Sequence, residues 1–178
     1  MRLHERAPLL VPAALLLAFG PSGCTAGGGG SHPAVEEVVS AADGLVEGEL
    51  HEIATALRLG GPVGSRSFSL CGESYAPGGV RLRTVVRFDS SDTVSPREGR
   101  AAAAAVLEAA GWSVDRDGEP APGERVVVLT ATKDRLVLRV ELAWGVVQVG
   151  LRSTCVETPD DVARTYDDRP ATAVEWSS

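Results

Sequence analysis

Residues 125–154 read RVVVLTATKDRLVLRVELAWGVVQVGLRST, a stretch in which apolar and polar side chains alternate through three segments. Alternation with a period of two residues is typical of strands that bury one face and leave the other in water. Short turns separate the segments around Lys133 and Gly145. The stretch therefore predicts three hairpin-linked antiparallel strands, at 125–131, 135–143 and 146–154.

Upstream of this meander, residues 67–71 and 80–88 predict two further strands, and 112–114 predicts a short one. In the 80–88 segment, valine, leucine and phenylalanine alternate with arginine, which indicates a half-buried strand. The intervening segment Gly72–Gly79 is predicted as a loop that contains Glu73, Ser74 and Tyr75. It is either a binding loop or only a long hairpin turn.

Two helices are predicted around these strands. Residues 34–58 carry apolar side chains at helical spacing and acidic side chains on the opposite, solvated face. A second helix begins at Ser95, where Pro96 and Glu98 complete a capping box, and it ends at Gly111. The order is α-β-β-α-β-β-β-β. It predicts an α+β fold with an antiparallel sheet of five to six strands and both helices on one face.

The N-terminus has the pattern of a secretory signal peptide. Arg2 and Arg6 precede an apolar run at 7–19 and small residues before Cys24. The run is shorter than the roughly 20 residues that a membrane-spanning helix needs. We expect residues 1–23 to be removed on export.

The segment Pro21-Ser22-Gly23-Cys24 resembles the lipobox of bacterial lipoproteins. The resemblance covers residues 1–24 and implies a diacylglycerol on the sulfur of Cys24, which becomes the first residue after cleavage. It also implies a location on the extracytoplasmic face of the cell membrane. Because Pro21 stands where the family favours Leu, ordinary secretion with Cys24 as a free thiol remains the alternative.

The mature chain is predicted to have three parts. Residues 24–33 comprise the lipidated cysteine and a glycine-rich tether, and 34–156 form a single α+β domain. Residues 157–178 are polar and acidic, and we expect them to form a loosely attached tail with a helical turn near 160–166.

An alanine-rich helix that ends at Gly111-Trp112, followed by three hairpin-linked strands that end at Thr154-Cys155, is similar to small uncharacterised actinobacterial envelope lipoproteins. The resemblance covers about half of the chain and implies no known active site. Lys133 is the one lysine beside many arginines, which is typical of translation from a GC-rich genome.

Lipidation of Cys24 would leave Cys71 and Cys155 as a pair in an oxidising compartment, where a disulfide is expected. Strand alternation places these two cysteines on opposite faces of the sheet. A disulfide between them therefore requires a bulge or a strand end before one of them.

Charge and composition exclude several functions. The formal net charge is −7, and removal of Arg2, Arg6 and Glu5 with the signal peptide leaves −8. An acidic chain is unsuited to non-specific nucleic-acid binding and to broad adhesion to anionic lipid. The three histidines provide no paired ligands, so we predict no metal site and no cofactor. His51 has no recognisable nucleophile partner, and no acid pair stands out.

Five arginines are candidates for one binding face on the open side of the sheet: Arg81, Arg83, Arg87, Arg139 and Arg152. Arginine suits bidentate contacts to carboxylate or phosphate, so the expected occupant is an envelope protein or an anionic wall component. The alternative is a solvated sheet face with weak surface ion pairs, for example to Glu141. Trp112 and Trp144 are interpreted as packing residues of the core or of turns.

The sequence thus favours a non-enzymatic, membrane-anchored binding or interaction module. The second hypothesis is a small envelope hydrolase that uses acidic residues. Two convergent carboxylates in a concave pocket would favour the hydrolase, whereas an arginine-rich sheet face without such a pocket would favour the binding module.

Overall fold

The predicted strands form one antiparallel sheet in a computed structural model, which describes residues 31–73, 76–89, 94–115 and 123–176. Its helices are α1 Pro33–Glu47, α2 Glu49–Leu57, α3 Pro96–Ala109 and α4 Asp160–Asp167. Its strands are β1 Gly60–Glu73, β2 Ala76–Asp89, β3 Ser113–Asp115, β4 Val126–Lys133, β5 Leu136–Ala143, β6 Val146–Ser153, β7 Val156–Glu157 and β8 Thr172–Ala173.

The sheet runs in the order β3-β4-β5-β6-β2-β1-β8, and β7 pairs with the beginning of β2. The β4-β5-β6 meander pairs through β6 with the long β1-β2 hairpin. The predicted class, α+β with an antiparallel sheet, is confirmed. The described residues contain more strands and more helices than were predicted.

One face of the sheet packs against all four helices. The alternate residues Leu138 and Val140 of β5, together with Val149 of β6, are fully buried in a core that also includes Leu50 of α2 and Leu107 of α3. Because side chains alternate along a strand, burying these positions turns their neighbours to the opposite face. The helices therefore lie on one side of the sheet, as the sequence predicts.

The helix predicted at 34–58 is two helices. Gly48 interrupts it with φ −98° and ψ −93°, which is outside the helical region. A Cβ atom at Gly48 would lie 3.0 Å from the carbonyl oxygen of Gly44. The break brings position 48 closer to this backbone oxygen than a side chain would allow without a shift, so the glycine at 48 permits it.

The hairpin strands are longer than predicted. Gly60 pairs with Asp89 and Glu73 pairs with Ala76, so both strands of the hairpin run through most of the region expected to be loop. The Gly72–Gly79 segment belongs to a hairpin, which was one of the two alternatives, but the turn is shorter than predicted because strand pairing continues to Glu73 and Ala76. Ser74 and Tyr75, between the two strands, lie outside the described residues.

The start of α3 agrees with the sequence. The hydroxyl of Ser95 accepts a hydrogen bond from the backbone N–H of Glu98, whose carboxylate accepts from the backbone of Ser95. The carboxylate also accepts from the Ser95 hydroxyl, and these bonds hold the pKa of Glu98 below its ordinary value. Gly111 ends the helix with φ +83°, so the capping box and the glycine stop are both confirmed.

The C-terminal segment is not loosely attached, and that prediction is wrong. The expected helical turn is the two-turn helix α4, in which Tyr166 is fully buried. Beyond it, β8 pairs with β1, and Trp176 packs edge-on against Phe88. Polar composition misled the prediction, because a few apolar side chains at helical spacing suffice to dock a short helix.

Candidate functional site

The candidate site lies on the open face of the sheet, opposite the helices. Arg81 and Arg83 flank the buried Leu82 in β2, so strand alternation turns both of them outward. The sheet register places Arg83 directly across from Arg152 of β6, and Arg81 across from Ser69 of β1. The arginines therefore lie beside one another because of strand pairing, although they are far apart in sequence.

Four of the five predicted arginines line one shallow depression of about 500 Å³. We call these four residues, Arg81, Arg83, Arg139 and Arg152, the arginine cluster. Arg87 is on the same face but is not part of this lining. It pairs with Gln148 in β6, towards the other end of the sheet. The lining thus includes four of the predicted arginines, and the fifth, Arg87, lies at its border beside the lining residue Gln148.

Carboxylates are scarce in this depression. Glu141 is the one acidic residue in its lining, and it already accepts a 2.8 Å hydrogen bond from Arg139. Among the described residues, Arg81, Arg83 and Arg152 form no ion pair. Like charges directly across a strand pair destabilise a sheet, so the Arg83–Arg152 pairing has a cost that a bound anion would remove.

The opposite end of the same sheet carries exposed apolar residues beside Arg87 and Asp89. Three large hydrophobic residues are exposed there: Val63 at 74%, Val126 at 52% and Trp144 at 55%. Val63 and Val126 occupy open-face positions of β1 and β4, and Trp144 lies in the β5–β6 turn between them. We call these three residues the apolar end.

The two tryptophans differ. Trp112 is buried, as predicted, and its indole N–H donates to Glu49 at 3.1 Å. The prediction that Trp144 is a packing residue is wrong, because more than half of its surface is exposed. The sequence does place Trp144 next to Gly145, in a turn at the free end of a hairpin. Such turns project beyond the packed strands, so this position indicates exposure.

Cys71 and Cys155 lie within disulfide-bonding distance, with their Cα atoms 5.9 Å apart. Strand alternation alone would put the two cysteines on opposite faces of the sheet. They can meet because β6 ends at Ser153 and the chain passes Cys155 before it continues as β7 beside β2. Gly79 permits this close passage, because a Cβ atom there would overlap the carbonyl oxygen of Val156. The pair closes the end of the sheet that carries the arginine cluster.

Acidic residues do occur in two depressions on the helical side. In the larger one, of about 510 Å³, the lining includes three acidic residues: Glu37, Glu49 and Asp134. Glu49 is already engaged, since it accepts from Trp112 and lies 3.6 Å from the Lys133 ammonium. Its carboxylate therefore helps to fix α2 against α3 and β4.

The smaller helical-side depression, of about 230 Å³, holds His51 with Glu47, Glu175 and Trp176. The imidazole of His51 stacks on Trp176 with ring centroids 5.7 Å apart. No serine or cysteine that could serve as a nucleophile belongs to this lining. Within the described ranges, no group of three histidine, cysteine, aspartate or glutamate side chains could hold a metal ion.

No family model matches the chain, and no curated protein matches it either. The chain is similar to one solved structure. That structure is a DUF4853 family protein from the actinobacterium Actinomyces odontolyticus, with 13% sequence identity and a TM-score of 0.41. The similarity covers 65% of this chain and 68% of that one. These comparisons indicate no enzyme family.

Residues 1–23 and Cys24 lie outside the described residues, as does most of the tether. In the part of the chain that the structure describes, no helix has the length and apolar character needed to cross a membrane.

Proposed function

We propose that this chain is an exported bacterial lipoprotein, held on the extracytoplasmic face of the cell membrane by a lipid on Cys24. Its folded domain acts as a non-enzymatic binding module whose open sheet face binds anionic groups. The observation that carries the binding proposal is the arginine cluster itself. It concentrates four guanidinium groups around one depression of a chain whose net charge is −7.

The arrangement suits anion binding for physical reasons. Each guanidinium offers a planar fork that matches the oxygens of a carboxylate or phosphate. Ser69 and Thr130, which also line the depression, add hydroxyl donors. A ligand with several negative charges would relieve the repulsion between Arg83 and Arg152. An acidic patch of an envelope protein or an anionic wall component has this chemistry.

Charge reversal of the cluster tests the binding face. We expect the double variant Arg81→Glu/Arg83→Glu to lose at least about tenfold in affinity for sodium polyphosphate, because each good charge-assisted contact contributes about 1 kcal/mol or more. Affinity would be measured by calorimetry on the mature chain at low and physiological salt. Retention of wild-type affinity would mean that this face is an ordinary solvated sheet surface.

The matched control reverses two arginines on the helical side. Arg58 and Arg164 are both exposed, and Arg58→Glu/Arg164→Glu changes the net charge by the same amount. This variant should keep polyphosphate binding within about twofold, because screening over about 8 Å separates the two faces at physiological salt. Equal losses in both double variants would assign the binding to net charge and not to the arginine cluster.

Substitution of the lipidated cysteine tests the anchor. We expect Cys24→Ala to move the protein from the membrane fraction to the medium, because stable anchoring depends on the acyl chains that the sulfur would carry. The control is Thr25→Ala, which should stay with the membrane. The measurement is fractionation with intact mass of the membrane-extracted wild type, and a mass without added acyl groups would refute lipidation.

A further inference from the structure

We propose that the open face is a membrane-docking surface: the arginine cluster binds the anionic lipid headgroups of the membrane that anchors the chain, with Trp144 beside them at the interface. This inference rests on the proposed function and names the occupant of its binding face. Two separate features carry it: the arginine cluster on the open face, and the exposed Trp144 in the β5–β6 turn at the other end of the same sheet.

The combination of residues is that of a membrane interface. Tryptophan prefers the headgroup region, where its ring is in a mostly apolar layer and its N–H can reach water. Arginine pairs with lipid phosphates while its methylene stem lies along apolar surface. Trp144 and Val126 are exposed at one end of the face, and the arginine cluster occupies the other. A soluble anionic polymer would make use of the arginines but not of the apolar end.

The tether is long enough to let the open face of the sheet lie against the membrane. The first helix begins at Pro33, on the helical side of the sheet, so the anchor is connected from the side opposite the open face. Seven residues, 25–31, lie between Cys24 and His32, and the eight Cα–Cα steps span at most about 28 Å. Packed layers lie roughly 10 Å apart. The tether can therefore pass around the edge of the sheet and let the open face lie against the bilayer.

The acidic character of the whole chain does not oppose this contact. Exposed acidic residues such as Glu36, Glu37, Glu47 and Glu52 are on the helices, on the far side of the sheet. At physiological salt the screening length is about 8 Å, less than the distance between the layers. On the open face itself, Glu141 is paired with Arg139, and the exposed Asp89 and Glu157 lie towards the two ends of β2. Headgroups over the depression between them would therefore experience mainly the arginine cluster.

The test of membrane docking attaches the chain to vesicles through its own tether. The mature chain, which begins at Cys24, is coupled through that thiol to a maleimide lipid in vesicles, while Cys71 and Cys155 are protected as a disulfide. One set of vesicles contains equal parts of phosphatidylglycerol and phosphatidylcholine, and the other contains phosphatidylcholine alone. The signal of Trp144 is the difference in emission between the wild type and Trp144→Phe, with brominated phosphatidylcholine as the quencher.

We expect Trp144 to be quenched and blue-shifted in the phosphatidylglycerol vesicles and not in phosphatidylcholine alone. Arg81→Glu/Arg83→Glu should abolish the quenching, whereas Arg58→Glu/Arg164→Glu should retain it. In co-sedimentation of the untethered Cys24→Ser chain, the first double variant should lose at least about 20-fold in affinity for phosphatidylglycerol vesicles. Trp144→Ser should weaken vesicle binding and leave polyphosphate binding unchanged.

Unchanged Trp144 emission in tethered phosphatidylglycerol vesicles would overturn the inference, as would equal quenching in both vesicle types. If polyphosphate binding through the arginine cluster persists in that case, the proposed binding face stands and its occupant is soluble. If polyphosphate binding is absent as well, both proposals fail. A photo-crosslinker at position 144 that couples to a protein and not to lipid in whole cells would assign the face to a protein partner.

Discussion

Removal of the Cys71–Cys155 link is expected to lower the free energy of unfolding by about 4 kcal/mol, according to the chain-entropy model of disulfides. The two cysteines are separated by 84 positions in sequence, so the bond would close a large loop of the unfolded chain. Closing a large loop removes many conformations from the unfolded state and leaves the folded state nearly unchanged.

The position of the pair adds a reason to expect a large effect. Cys155 holds the segment that leaves β6 and re-enters the sheet as β7, and α4 follows directly. Without the link, the chain next to Cys155 is held by the two-residue pairing of β7 with β2, by the packing of α4 and by the pairing of β8 with β1. We therefore expect the C-terminal segment to open first in the reduced protein.

The measurement is urea unfolding of the oxidised wild type, the reduced wild type and Cys71→Ser/Cys155→Ser, all with Cys24→Ser to remove the third thiol. The reduced wild type and the double variant should unfold at the same, lower midpoint. Thiol titration of the denatured oxidised protein should find no free thiol. A free thiol in the oxidised protein, or an unchanged midpoint after reduction, would contradict the prediction.

Local patterns were sufficient for much of the fold. The meander at 125–154 was predicted correctly because alternation, turns and strand length all agree within about thirty residues. Capping of α3 by Ser95 was predicted because a capping box depends on four consecutive residues. These features require no knowledge of which distant segments meet.

The errors concern features that depend on distant partners. The strand predicted at 67–71 begins as early as Gly60, because β2 pairs with it over that length. Likewise, alternation predicted that the arginines face outward. Only the register shows that Arg83 lies directly opposite Arg152 and that Arg87 lies opposite Gln148. Strand pairing between distant segments is not encoded in the periodicity of either strand.

Truncation of Tyr166 is expected to be about as damaging as loss of the disulfide. Tyr166 is fully buried on the short helix α4 and packs against Phe68, with ring centroids 5.0 Å apart. The guanidinium of Arg169 lies 3.8 Å from the centre of its ring. Deleting a buried aromatic side chain leaves a cavity, so Tyr166→Ala should cost about 3–5 kcal/mol in the free energy of unfolding.

The hydroxyl of Tyr166 connects the two ends of the domain. It accepts a hydrogen bond from the backbone N–H of His32 at 2.9 Å and donates to Glu36 at 2.8 Å. Tyr166→Phe keeps the ring and removes both bonds, so it should cost about 1–3 kcal/mol. Urea unfolding would separate the two effects. Equal losses in the alanine and phenylalanine variants would mean that the hydroxyl, and not ring packing, dominates.

The pH dependence of the free energy of unfolding provides an independent check that the Tyr166 hydroxyl is buried beside Glu36. Burial raises the pKa of Tyr166 above its ordinary value of 10.0, and the neighbouring Glu36 carboxylate acts in the same direction. A phenol with a raised pKa in the folded state stabilises the fold fully below the unfolded-state pKa. That contribution is lost as the pH rises above about 10 and through the folded-state pKa. The wild type should therefore lose stability more steeply than Tyr166→Phe between neutral and strongly alkaline pH, and parallel pH profiles would contradict burial of the hydroxyl.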